Sequence, residues 1–175
     1  FQSAGADPAG EFIAVSPDDW ETLAPILAVH ERNRALHVER SAEWWEKRIF
    51  QQWGGQDDFG YRWDDDRDEP RAYVIYRFND DDSQDGRTLR VVEAAWTDPE
   101  AYRQLFRFLG NHDSQAEMVE CSLPHDPAAQ ILDLVDDPSE LTVETRPGPM
   151  IRVVDVIDAL STVRYPGDDS VILSI

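Results

Sequence analysis

Between Ala94 and Pro99 the chain turns from a strand-like run into a helix-like one. Such a junction can offer free backbone N–H groups and a positive helix end to a phosphate. The segment Ala94-Ala95-Trp96-Thr97-Asp98-Pro99 is poorly equipped for this. Proline has no N–H to give, the aspartate caps with negative charge, and no glycine lets a ligand approach the backbone closely. A second stretch, Asp81 to Thr88, places oxygens at the first, third and fifth positions and Gly86 at the sixth, as a calcium-binding loop does. Position twelve is Val92 instead of a bidentate glutamate, so the stretch reads as a charged hairpin turn. His30 and His37 stand seven apart without a third ligand, and His112, Cys121 and His125 are separated by a strand-like run, so neither set reads as a metal site. His112-Asp113 reads as the polar turn that ends a helix.

Trp44, Trp45 and Trp53 offer either an aromatic ligand platform or core and interface, and their helical spacing favours the second. Tyr73 and Tyr76 fall on opposite faces of one strand. There is no Gly-x-Ser-x-Gly, Walker loop or Cys-x-x-Cys, and no carboxylate pair stands out in so acidic a chain. The expectation is therefore of no catalytic, cofactor-binding or metal-ligating residue in this segment.

Charge narrows the class further. The 175 residues carry 36 acidic and 16 basic side chains, a formal net charge of −20, and Lys47 is the only lysine. The acid is spread along the chain, at residues 64–66, 80–82, 136–137 and 168–169, unlike a localised acidic tail. A dispersed aspartate coat with lysine nearly removed suits a halophile's cytoplasm, where molar salt shortens the Debye length to about 3 Å. The same charge argues against a nucleic-acid partner. No apolar run reaches the roughly 20 residues of a membrane span, no secretory signal is seen, and the single cysteine suits a reducing compartment. Phe1-Gln2-Ser3 looks like the remnant of a cleaved tag. A cytoplasmic protein with no membrane partner is expected.

The elements that must position these residues follow from periodicity. Strand-like residues 11–15 lead into the helix start Ser16-Pro17-Asp18-Asp19, whose pattern runs through Trp20, Leu23, Ile26 and Leu27 toward Leu36, with Pro25 expected to kink or split it. Ser41 caps a second helix through Trp44, Trp45, Ile49 and Trp53, stopped by Gly54-Gly55. Residues 59–63, 71–78 and 88–96 read as strands, the last two joined by the acidic turn. Asp98 then caps a helix with Pro99 in its first turn and Gly110 at its end, and Tyr102, Leu105, Phe106 and Leu109 form its apolar stripe. Residues 117–123 read as a strand, Asp126-Pro127 as the start of a helix reaching Val135, and residues 141–145 and 150–154 as two closing strands. This order predicts an α/β (α+β) fold: one mixed sheet, splayed near Trp96, with helices on both faces.

That is the element order of the GNAT acetyltransferase fold, in which the fourth strand and following helix hold acetyl-CoA through a Q/R-x-x-G-x-G/A loop that is missing here. The chain more narrowly resembles the central, degenerate GNAT domain of the enhanced intracellular survival (Eis) family of N-acetyltransferases. The resemblance rests on Arg40-Ser41 with Trp44-Trp45-x-x-Arg48, Tyr73-Val74-Ile75-Tyr76-Arg77, Tyr102-Arg103-x-Leu105-Phe106-Arg107-Phe108-Leu109, His112-Asp113-x-Gln115, and Met150-Ile151-Arg152-Val153-Val154-Asp155-Val156. It implies a degenerate GNAT domain over residues 11–154 and the start of a sterol-carrier-like domain over 155–175. It also implies acetyl-CoA as the cofactor of the parent protein only. As partners it implies the parent's N-terminal GNAT domain and C-terminal carrier-like domain, in a homo-oligomer.

The family's general acid, a tyrosine of the first domain, and its base, the carboxylate ending the full chain, map onto no residue here; the Ile175 carboxylate does not take that role. The expected function is a non-catalytic scaffold or interface segment. The alternatives are a stand-alone N-acetyltransferase with an aberrant cofactor loop and a small-molecule or cation-binding module. If the charge reading holds, thermal melts from about 0.1 to about 3 M KCl rise steadily as screening shortens from about 10 Å to under about 3 Å. A flat or falling trend rejects it.

Overall fold

A computed structural model of the chain describes residues 10–32, 34, 38–50, 58–80, 86–123, 135, 137–148 and 152–162. Two compact units divide it, Phe1–Pro138 and Ser139–Ile175. The first contains β1 (Gly10–Val15), a 3-10 turn (Pro17–Asp19), α1 (Trp20–Glu31), α2 (Ala42–Trp44) running into a π-turn (Trp45–Ile49), β2 (Asp58–Asp65), β3 (Pro70–Asp80), β4 (Arg87–Trp96), α3 (Pro99–Gly110) and β5 (Met118–Glu120). The strands form one sheet in the order β1-β2-β3-β4-β5. Its first four strands are antiparallel and β5 runs parallel to β4, giving the mixed sheet expected.

The start of α1 is held by Asp19, whose carboxylate accepts from the Ser16 N–H at 2.7 Å and the Ser16 hydroxyl at 2.9 Å. Pro25 does not split the helix, which continues to Glu31. Pro25 and Glu21, whose carbonyl loses its donor, both lie on the exposed side, where water can satisfy the carbonyl. The second helix is shorter than its pattern suggested. Ser41 does cap it, accepting from the Trp44 N–H at 3.3 Å, but the backbone then widens, and the Phe50 N–H reaches back five residues to the Trp45 carbonyl at 3.1 Å. Trp53, Gly54 and Gly55 lie outside the described residues, as do Leu36 and the predicted helix at 126–134.

Each sheet face has its own core. On one, Leu23, Ile26 and Leu27 of α1 and Trp45 and Ile49 of the π-turn pack on Tyr73 and Ile75 of β3 and Ala95 of β4. On the other lies α3, whose stripe of Tyr102, Leu105, Phe106 and Leu109 is buried as the spacing predicted. Tyr73 and Tyr76 do fall on opposite faces, the first against Trp45 and the second against Phe108.

Opposite the step from Ile75 to Tyr76, β4 carries an extra residue: Glu93 pairs with Ile75, Val91 pairs with Tyr76, and Val92 bulges between. Parallel pairing with β5 stops at Arg90, just before that bulge. This explains a correction, since the strand expected over 117–123 is confined to Met118–Glu120. Residues 121–123 lie beyond that paired stretch and carry no strand.

In the second unit the strand expected over 141–145 does not form; residues 141–148 are irregular, Val143 is 68% exposed, and the Arg146 guanidinium turns back to Glu144 at 2.7 Å. Residues 152–154 of the last predicted strand are irregular too, whereas 150 and 151 lie outside the described residues. The alternating pattern found no second apolar layer to bury its valines against. The helix α4 (Val156–Thr162) follows. Because Pro25 sits exposed in an intact helix, Pro25→Ala is expected to stabilise the fold by about 2 kcal/mol, the helix-propensity gain of about 3 less the entropy of up to about 1 returned to the unfolded chain. Urea denaturation at fixed salt measures this, and a loss of stability counts against it.

Candidate functional site

The end of β4 and the start of α3 meet at Asp98, whose backbone is extended (φ −159°, ψ 172°). Its Oδ1 accepts the N–H groups of Glu100 at 2.9 Å and Ala101 at 3.0 Å, two of the donors a helix start leaves free. Its Oδ2 accepts from Arg71 Nη2 at 2.6 Å and from the Thr97 hydroxyl at 2.9 Å. Burial pushes the Asp98 carboxyl up, but the Ala101 N–H, the Arg71 guanidinium and the Thr97 hydroxyl together hold it below the ordinary carboxylate value. Two neighbouring donors are also engaged. The Tyr102 N–H bonds the Asp98 carbonyl at 3.1 Å, the Thr97 N–H bonds the Arg71 carbonyl at 2.9 Å, and Pro99 has none.

One residue upstream, His30 of α1 reaches the backbone of Trp96, with Nδ1 at 3.1 Å from the carbonyl and 3.3 Å from the nitrogen. The imidazole packs edge-on to the Trp96 indole at 4.2 Å, and the indole in turn meets Tyr102 at 4.8 Å. The free end of β4 is thus bonded by a side chain of this protein. Burial, reinforced by the Arg34 cation, holds the His30 imidazole down at about 4, against an ordinary 6.5. It stays neutral at neutral pH.

A second cluster sits on the α1 face. Arg40 Nη1 lies 2.6 and 2.8 Å from the two oxygens of Glu93, and the Tyr73 hydroxyl donates to the first of them. The Arg40 guanidinium stacks over Trp45 at 5.1 Å. A carboxylate on β4 beside a tyrosine has the types of an acid–base pair. Here both carboxylate oxygens are engaged, and burial and the Glu93 charge push the Tyr73 phenol far above its ordinary value. The cluster fastens the π-turn to the sheet through Arg40, which bonds Glu93 and stacks on Trp45.

The other residues singled out in the sequence scatter. His112 forms the turn after α3; its Nδ1–H donates to the Phe108 carbonyl at 2.9 Å, which leaves Nε2 to accept from the Tyr76 hydroxyl at 2.9 Å. Trp45 is fully buried, whereas Trp44 is 39% exposed beside Arg48. Cys121 is partly buried, and burial raises its thiol. His37, His125, Trp53 and the acidic turn 81–85 lie outside the described residues. Among the described residues no three His, Cys, Asp or Glu side chains come together to hold a metal ion, and no helix is long and apolar enough to cross a membrane. Sequence reading found Asp98 and Pro99 and named His30 and Tyr73 without their partners, but missed Arg71 and the Arg40–Glu93–Tyr73 cluster. Their partners are distant in the chain, 27 residues for Arg71–Asp98 and 66 for His30–Trp96, and no local pattern reports them.

Residues 36–153 match the family model for the acetyltransferase (GNAT) domain. No curated protein matches the chain in sequence. In structure it is similar to a ribosomal-protein-alanine N-acetyltransferase from Brucella melitensis, with a TM-score of 0.56 and 12% identity over 83% of this chain and 100% of that one. It is also similar to a GCN5-related N-acetyltransferase from Anabaena variabilis (TM-score 0.53, 17% identity, 62% of this chain, 27% of that one). A conserved protein from Enterococcus faecalis is comparable (TM-score 0.52, 19% identity, 63% and 26%). The chain therefore spans about a quarter of the latter two, and the likeness is one of fold.

His30 also supplies a pH signature. Its folded-state pKa is depressed, so the unfolded chain takes up the proton first as pH falls. The stability due to neutral His30 is complete above about pH 6.5 and drains away as pH falls toward about 4. The stability difference between the protein and His30→Asn should shrink over that window at constant high KCl. Urea denaturation at pH 7 and pH 4.5 reads it, and a constant difference refutes the assignment.

Proposed function

We propose a non-catalytic role for this chain, which belongs to the acetyltransferase (GNAT) domain family: it serves as the scaffold and interface segment of a larger, Eis-like acetyl-CoA-dependent N-acetyltransferase of a halophile's cytoplasm. The observation that carries this reading is the engagement of the β4–α3 junction by the protein's own groups. The GNAT fold cradles the cofactor's pyrophosphate with backbone N–H groups at that helix start. Here the N–H groups of Glu100 and Ala101 are given to Asp98, and position 99 has no N–H at all. Asp98 is further fixed by Arg71, so that guanidinium is also occupied. These residues do not fit a coenzyme A pyrophosphate.

The surroundings point the same way. The cofactor carries about four negative charges and would approach a chain of net charge −20, a repulsion that molar salt only screens. In the proposed parent, acetyl-CoA is handled by another GNAT domain, and this segment adjoins that domain and a carrier-like C-terminal domain. The likeness to about a quarter of two longer chains supports a segment's role. A second reading, a stand-alone N-acetyltransferase with an aberrant loop, draws support from the likeness that spans all of the Brucella chain.

Calorimetry in high salt separates the two. The chain alone is expected to bind acetyl-CoA only weakly, and replacing Asp98 and Pro99 together by glycine is expected not to rescue it, since the loop's other glycines and its basic or amide residue are absent as well. A dissociation constant in the low micromolar range, about −8 kcal/mol, overturns the non-catalytic reading.

A further inference from the structure

We draw no further inference here: the strongest candidate, the side-chain cluster under the π-turn in which Arg40 Nε and the buried Trp45 Nε1 find no hydrogen-bond partner among the described residues, carries nothing, because nothing in the structure shows what would cover those two donors.

Discussion

The Asp98 carboxylate is the constraint on which the rest of this domain turns. One oxygen closes the first turn of α3 and the other takes the guanidinium of Arg71 from the start of β3. Three elements are thereby fixed relative to one another: the end of β4, the helix that covers the sheet, and the strand beside it. An N-cap of this kind contributes about 1 kcal/mol as a local interaction. Its larger consequence is positional, because through Arg71 it ties the helix start to the beginning of β3. The same carboxylate that begins the helix also engages two of the N–H groups at its start.

Scarcity of cations makes Arg71 a shared resource. With 16 basic side chains against 36 acidic ones, its guanidinium serves Asp98 at 2.6 Å, Asp65 at 3.3 Å and Glu69 at 3.8 Å. Partly exposed pairs such as these contribute little one by one. Together they bind the turn between β2 and β3 to the junction. The Arg40–Glu93 pair is different, since both side chains are 15% exposed and the Tyr73 phenol completes the network. Removing one partner of a buried pair strands the other charge, at about 3–5 kcal/mol. It fastens the π-turn to β4 beside the bulge at Val92, where the sheet begins to part from β5.

These two clusters and an array of rings divide the molecule by chemistry. Charge pairs gather at the junction and under the π-turn, where they fix backbone. The α3 side presents rings whose central polar groups are bonded internally. The rings of Phe12, Phe59, Tyr61, Tyr76, Phe78 and Phe108 are not free of charge, since the Arg87 guanidinium lies 4.3 Å over Phe78.

Much of the fold was legible in the sequence because its signals are local. The alternation of β1 to β4, the helix starts at Ser16 and Asp98, and the spacing of Tyr102, Leu105, Phe106 and Leu109 depend on neighbours within a few residues, and each appears where expected. The absence of a glycine loop at Trp96–Pro99 was equally plain. What failed was also local: Pro25 was expected to kink or split a helix that is not split, and residues 141–145 alternate as a strand yet stay irregular. What tertiary structure alone decided were the contacts between distant residues. His30 meets Trp96, Arg71 meets Asp98, and Arg40 meets Glu93 across separations that leave no periodic trace in the chain. Periodicity tells a side chain which face it occupies; only the folded sheet decides which side chain it meets there.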